Sequence, residues 1–148
     1  MEKLFSNREY KSGTNWCIWR WTDVRSKYIV RLHLVKTPWF ALCIHWLLKS
    51  DPEPYVHDHP VTFISFILRG EYYEFRGPWN KFRGLWPSDS GWVRKHSWFN
   101  FIRATDTHSI FWCNPKTVTF CIMGPKQQEW GFYLDDGKKY WKDYYATK

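Results

Sequence analysis

"YVHDHPVTFISFILRGEYYEFR", residues 55–76, carries the pattern on which the fold turns. Val61, Thr62, Phe63, Ile64, Phe66 and Ile67 are β-branched or aromatic, the side chains that fill a pleated, half-buried surface, so this run reads as a strand. Strand side chains alternate with a period of two. If the chain is extended from the start, His57 and His59 share one face, and Val61, Phe63, Ser65 and Ile67 follow them inward. An apolar pocket with two imidazoles at its rim is a usual composition for a small-molecule site. After Gly70, "EYYEFR" resumes the extended pattern and sets Tyr72 and Glu74 on a common face.

Strands are expected on both sides of this stretch. "NWCIWRW" (15–21), "KYIVRLHLV" (27–35) and "WFALCIHWLL" (39–48) read as extended, and the last two are expected to pair as a hairpin. In the second, Tyr28, Val30, Leu32 and Leu34 make the apolar face, which places His33 on the opposite one. "KSDPEPY" (49–55) is irregular, because prolines two apart remove donors and fix φ. "GPWNKFRGLWPSDSG" (77–91) is a long loop, "WVRKHSWFNFIR" (92–103) a strand, and "HSIFWC" and "TVTFCIM" two more joined by the turn "NPK". Tyr140, Trp141, Tyr144 and Tyr145 recur at helical spacing and predict a short amphipathic C-terminal helix. Many short strands with regular turn signals predict one all-β domain over residues 1–148, a jelly-roll barrel.

Composition narrows the partners. The chain holds twelve tryptophans in 148 residues, more than one core of this size absorbs, so some rings line a cavity or lie outside. A net charge of +8 favours a small anionic or nucleotide-like ligand. Trp79, Lys81, Arg83, Trp86 and Arg94 offer base stacking and phosphate contacts, a weaker case for nucleic acid, since lysines and arginines commonly surround surface rings. The four cysteines, Cys17, Cys43, Cys113 and Cys121, lack zinc-finger or CxxC spacing and sit in apolar strands, as buried free thiols do. "MEKLFSNREY" lacks the apolar core of a signal peptide, and no apolar run reaches membrane-span length. The expectation is a cytoplasmic protein, in the host cytoplasm if phage-encoded, without a membrane partner and with a homo-oligomer left open.

A divalent ion on His57 and His59 needs a further ligand from another strand. His108, opening "HSIFWC", is the first candidate and Glu74 the next, with His45 and His96 behind them. Asp58 points away from its neighbours by alternation and suits a supporting or loop-acceptor role. "GPKQQEWGF" (124–132) either closes over the barrel mouth, with Trp130 against the ligand, or is a turn with Trp130 as a plug.

His-x-His on a strand, a glycine about ten residues on and a single downstream histidine together resemble the cupin superfamily. Residues 28–134 look more closely like small cupin-like proteins of bacteriophages and bacteria. The resemblance implies a double-stranded β-helix barrel, usually with a divalent iron, manganese, nickel or zinc ion. It assigns His57 and His59 to the histidine pair and His108 to the second motif. The chain departs from the pattern in one respect: Val61–Leu68 contains no acid where the family's glutamate stands. Either Glu74 substitutes from the next strand, or three histidines form the site, or the site has decayed. Two functions follow: a metal-dependent enzyme acting on a small polar substrate, or a non-catalytic barrel that sequesters a nucleotide-like molecule or serves as a phage accessory protein.

Overall fold

The computed structural model describes residues 17–23, 28–77 and 92–147. The strands in chain order are β1 (Cys17–Asp23), β2 (Ile29–Lys36), β3 (Ala41–Leu47), β4 (Val61–Arg69), β5 (Tyr72–Arg76) and β6 (Trp92–His96). They continue as β7 (Phe99–Ile102), β8 (His108–Cys113), β9 (Thr117–Lys126), β10 (Gly131–Leu134) and β11 (Gly137–Tyr140), and helix α1 (Trp141–Ala146) ends the chain. A six-stranded antiparallel sheet has the order β1-β2-β3-β9-β4-β7. Facing it are β6-β5-β8 and the hairpin β10-β11. His57 joins these last two pieces, bridging His108 of β8 on one side and Phe132 of β10 on the other. Ile29, Leu47 and Ile67 of the large sheet pack with Tyr72 and Cys113 of the smaller one, closing the sandwich at one end. The all-β jelly-roll expectation and the β2–β3 hairpin match this architecture.

Four local readings are corrected. The His57–His59 stretch is not part of β4: it lies in the smaller sheet, and the chain crosses to the large sheet at Pro60. Residues 92–103 form two strands in different sheets, β6 and β7, with the corner at Ser97–Trp98. The "NPK" turn likewise changes sheet between β8 and β9 instead of pairing them. His33 is the fourth case. It is buried beside Cys43, with Nδ1 3.1 Å from the thiol, because the polar face of β2 turns inward. The expected helix does form, but it begins at Trp141 and leaves Tyr140 on β11.

The inner face of the large sheet is polar to an unusual degree. Register sets His33, Cys43, Cys121, Ser65 and Asn100 in one cross-strand row, all buried. Arg31, His45, Thr119 and Ile67 make the next row. Ala41, Met123, Phe63 and Ile102 make the row on the other side. Cys43, Cys113 and Cys121 are free buried thiols, whereas the Cys17 side chain lies outside the described ones. Trp79, Lys81, Arg83 and Trp86 also lie outside the described residues; Arg94 is exposed on β6. Among the described residues no helix is long and apolar enough to cross a membrane.

Gly70 turns the chain from one sheet to the other at φ +80°, in the left-handed region that side chains other than glycine's resist. A Cβ there would fall within 2.4 Å of the Thr117 hydroxyl. That hydroxyl cannot retreat freely, because it donates to the carbonyls of Asn114 and Glu71. Gly70→Ala should therefore lower unfolding free energy by about 1–3 kcal/mol. A urea denaturation midpoint equal to wild type would refute this account of the turn.

Candidate metal centre

His57, His59 and His108 come together although 49 residues separate the last two. Backbone pairing begins the assembly: His57 N–H donates to the His108 carbonyl at 2.9 Å, and His108 N–H returns the bond at 3.0 Å. His59 N–H donates to Ala104 O. One nitrogen from each ring lies within 4.8 Å of the other two. The Nε2 atoms of His59 and His108 approach to 2.6 Å. Two lone pairs repel at that distance, so one nitrogen donates its proton to the other.

The opposite nitrogen of His108 resolves which atom offers the lone pair. Its Nδ1 is 3.3 Å from Glu74 Oε2. A carboxylate there accepts the Nδ1 proton, which leaves Nε2 as the donor atom of the neutral ring. Glu74 is fully buried, and its carboxylate also accepts from Asn100 Nδ2 at 2.6 Å and from Arg76 Nε, with His96 Nε2 3.4 Å away. Burial alone would raise the Glu74 pKa. Hydrogen bonds from His108 and His96, with the Arg76 guanidinium, outweigh it and hold the group well below the usual carboxylate range.

Burial pushes His57 down to about 4, with the pull of Asp51 opposing and His108 adding to the shift. His59 lies well below its ordinary value, through burial first and then His108 and His57. Both rings are neutral near pH 7, the state a metal requires of an imidazole. His57 Nδ1 is buried without a hydrogen bond, its nearest acid being Asp51 at 3.9 Å.

The remaining sequence candidates lie around this cluster. Phe63 stands edge-on to His59, ring centroids 4.9 Å apart, and Trp130 lies 6.1 Å from His57 while stacking on Trp141. Ser65 is buried one row further along the sheet. Tyr72 is buried beside His96 and takes a hydrogen bond from Asn100; burial and Glu74 push its phenol well above the ordinary value. Glu74 sits on the far side of His108 from the point where the rings converge. Neither His45 nor His96 belongs to the three-histidine group. Arg76 and Asn100 were not foreseen. Arg76 was within reach, since it shares a strand face with Glu74 two residues earlier, whereas Asn100 arrives from another sheet with no local signal.

Asp58 anchors the histidine pair from behind. It is 1% exposed and accepts from Gly131 N–H at 2.8 Å, Lys138 Nζ at 2.6 Å, Tyr133 Oη at 3.1 Å and Gln128 Nε2 at 3.0 Å. Gln128 Nε2 also donates to the carbonyls of His59 and Ala104. The 124–132 segment is thus tied to the histidine stretch, with Trp130 half-buried between His57 and Trp141.

No family model matches the chain, and no curated protein matches it either. Solved structures do. The DMSP lyase DddQ from Ruegeria pomeroyi DSS-3 is 14% identical with a TM-score of 0.53, covering 80% of this chain and 62% of DddQ. An RmlC-like cupin from Shewanella frigidimarina NCIMB 400 is 13% identical with a TM-score of 0.50, over 78% of this chain and 97% of that one. The chain has the cupin fold.

Replacing Asp58 removes the acceptor that four donors share. Asp58→Ala should cost about 3 kcal/mol, in the range for breaking a buried charged pair. It should also loosen the segment carrying His57 and His59. Denaturant titration measures the loss; a change below about 0.5 kcal/mol, the scale of an ordinary surface substitution, would show that the anchor is unimportant.

Proposed function

We propose that this cupin-fold chain binds a divalent first-row metal ion through His57, His59 and His108 and presents it to a small polar or anionic ligand in the barrel. The observation that carries the reading is the convergence of three imidazoles whose donor nitrogens lie within 4.8 Å of one another. Their chemistry fits the ion. Burial keeps His57 and His59 neutral, and Glu74 orients His108 with its Nε2 lone pair toward the cluster. Nitrogen ligands suit iron, manganese, nickel and zinc. A bound ion would supply a Lewis acid with coordination positions open to the ligand. Glu74 acts in this reading as the partner that orients His108, since hydrogen bonds on the far side of that ring occupy its carboxylate. Phe63 and Trp130 border the ligand space, with Ser65 and Tyr72 deeper in the barrel.

A non-catalytic binding barrel, sequestering a nucleotide-like molecule or serving as an accessory protein, is the second reading. It is favoured by the engagement of the nearby acids: Glu74 is held by four groups, and Asp51 accepts from Ile110 N–H at 2.7 Å. That leaves the histidines without an acid of the family type beside them.

Metal content per chain separates the readings. Wild type, purified without a metal-binding tag and reconstituted, should hold one ion. His57→Ala, His59→Ala and His108→Ala should each lose most of it while circular dichroism shows a folded barrel. Glu74→Gln should weaken metal affinity by about 10- to 100-fold, the usual effect of changing a ligand's hydrogen-bond partner. His33→Ala is unsuitable as a bystander control, because His33 is buried in the lumen row. Wild type without metal, or histidine variants that retain it fully, would end the metal reading in favour of the binding barrel.

A further inference from the structure

Among the described residues, Arg31 is a cation that meets no acid. It stands on the inner face of β2, opposite His45 of β3, in a row continued by Thr119 and Ile67. His45, Thr119 and Ile67 are all buried, which fixes this face as the lumen side. Arg31 Nε is buried and has no hydrogen-bond partner, and neither has His45 Nε2 in the same row. Among the described residues no acid forms an ion pair with Arg31. Elsewhere among the described residues, Arg76 meets Glu74 and Lys138 meets Asp58. A buried guanidinium nitrogen and a buried imidazole nitrogen side by side, both without a partner, cost stability unless a further group meets them.

Position suggests which group. The Arg31–His45 row lies four residues along β3 from the row containing Phe63, whose ring touches His59. That is about 13 Å of strand, metabolite length, between the cation and the histidine cluster. Among the described residues Arg31 is the one charged side chain of its row, which His45, Thr119 and Ile67 complete. A monoanion matches it better than a phosphate dianion, and a planar carboxylate fits the two-donor edge of a guanidinium.

We infer that Arg31, with His45 beside it, is the carboxylate-binding end of the lumen and holds a small monocarboxylate whose other end faces His57, His59 and His108. The orientation of the ligand rests on the metal-centre reading; the anion site does not.

Benzoate, acetate and inorganic phosphate serve as probes, with isothermal titration calorimetry on metal-free and zinc-loaded protein. Metal-free wild type should bind benzoate or acetate more tightly than phosphate. Arg31→Met should weaken carboxylate binding at least tenfold, Arg31→Lys should recover part of it, and zinc content should stay at wild-type level in both. Arg31→Met should also melt at or above the wild-type temperature, because an unpaired buried charge is gone. The inference is overturned by undiminished carboxylate binding in Arg31→Met, by no carboxylate binding to wild type at millimolar concentration, or by tighter Arg31-dependent binding of phosphate. A melting temperature several degrees lower in both variants would make Arg31 a structural cation and overturn it equally. Arg31-dependent benzoate binding in a wild type that holds no zinc would sustain this inference and remove the metal centre alone.

Discussion

The Glu74 carboxylate is the constraint around which the barrel is arranged. It is fully buried, and taking an ionised carboxylate out of water costs several kcal/mol unless partners replace the lost hydration. The partners come from four strands: Arg76 from its own β5, His96 from β6, Asn100 from β7 and His108 from β8. Asn100 belongs to the six-stranded sheet and the others to the facing one, so a single charge sets the distance between the two layers. Asn100 also receives a hydrogen bond from Arg76 and gives one to Tyr72, which restricts its rotation. A buried network of this kind rigidifies what it touches, and one of the groups it touches is the ring of His108.

Asp58 repeats this logic on the other side of the cluster. It draws Gly131, Tyr133 and Lys138 from the β10–β11 hairpin, and Gln128 before it, onto the histidine stretch. His57 and His59 flank that anchor in sequence, while His108 leans on Glu74. The three imidazoles are thus held from two independent buried carboxylates. Neither acid needs to reach the point where the rings converge to fix their positions. This gives a physical reason why the stretch Val61–Leu68 manages without an acid: the charge that supports the histidines arrives from Glu74 and Asp58 instead.

Much of this was legible in the amino-acid order. The strands, the all-β class, the turn at Gly70 and the three histidines follow from alternation, composition and the resemblance to cupins. Partners and corners were less so. Pro60 looked like part of one extended run, yet it moves the chain from one sheet to the other between His59 and Val61. "HSW" inside 92–103 has no glycine or proline to mark the bend that separates β6 from β7. Asn100 and Arg31 acquire meaning only from strands distant in sequence, and no single-strand pattern reports those neighbours.

The misreading of β2 has the most general cause. Hydrophobic periodicity locates the interior of a protein only when the interior is apolar. Here Ile29, Arg31 and His33 face inward, toward Cys43, His45, Cys121, Ser65 and Asn100, while Phe99, Phe101 and Ile122 of the same sheet lie exposed on its outer side. Apolar packing is divided: Ile29, Leu47, Ile67, Tyr72 and Cys113 close one end, Val56 and Phe75 pack with Tyr55 and Tyr133, and Ala41, Cys43 and Cys121 pack with Met123 on the inner face itself. With the apolar burial supplied there, the lumen between can carry polar groups that a core of this size would otherwise exclude. The tryptophans fit the same division. Trp39 and Trp98 are 66% and 70% exposed, and Trp130 lies between His57 and the helix, so none of these rings fills the lumen. The inner face thus carries a polar row beside a small apolar cluster, with Phe63 and Tyr72 adding rings to it, so its burial cannot be read from hydrophobicity alone.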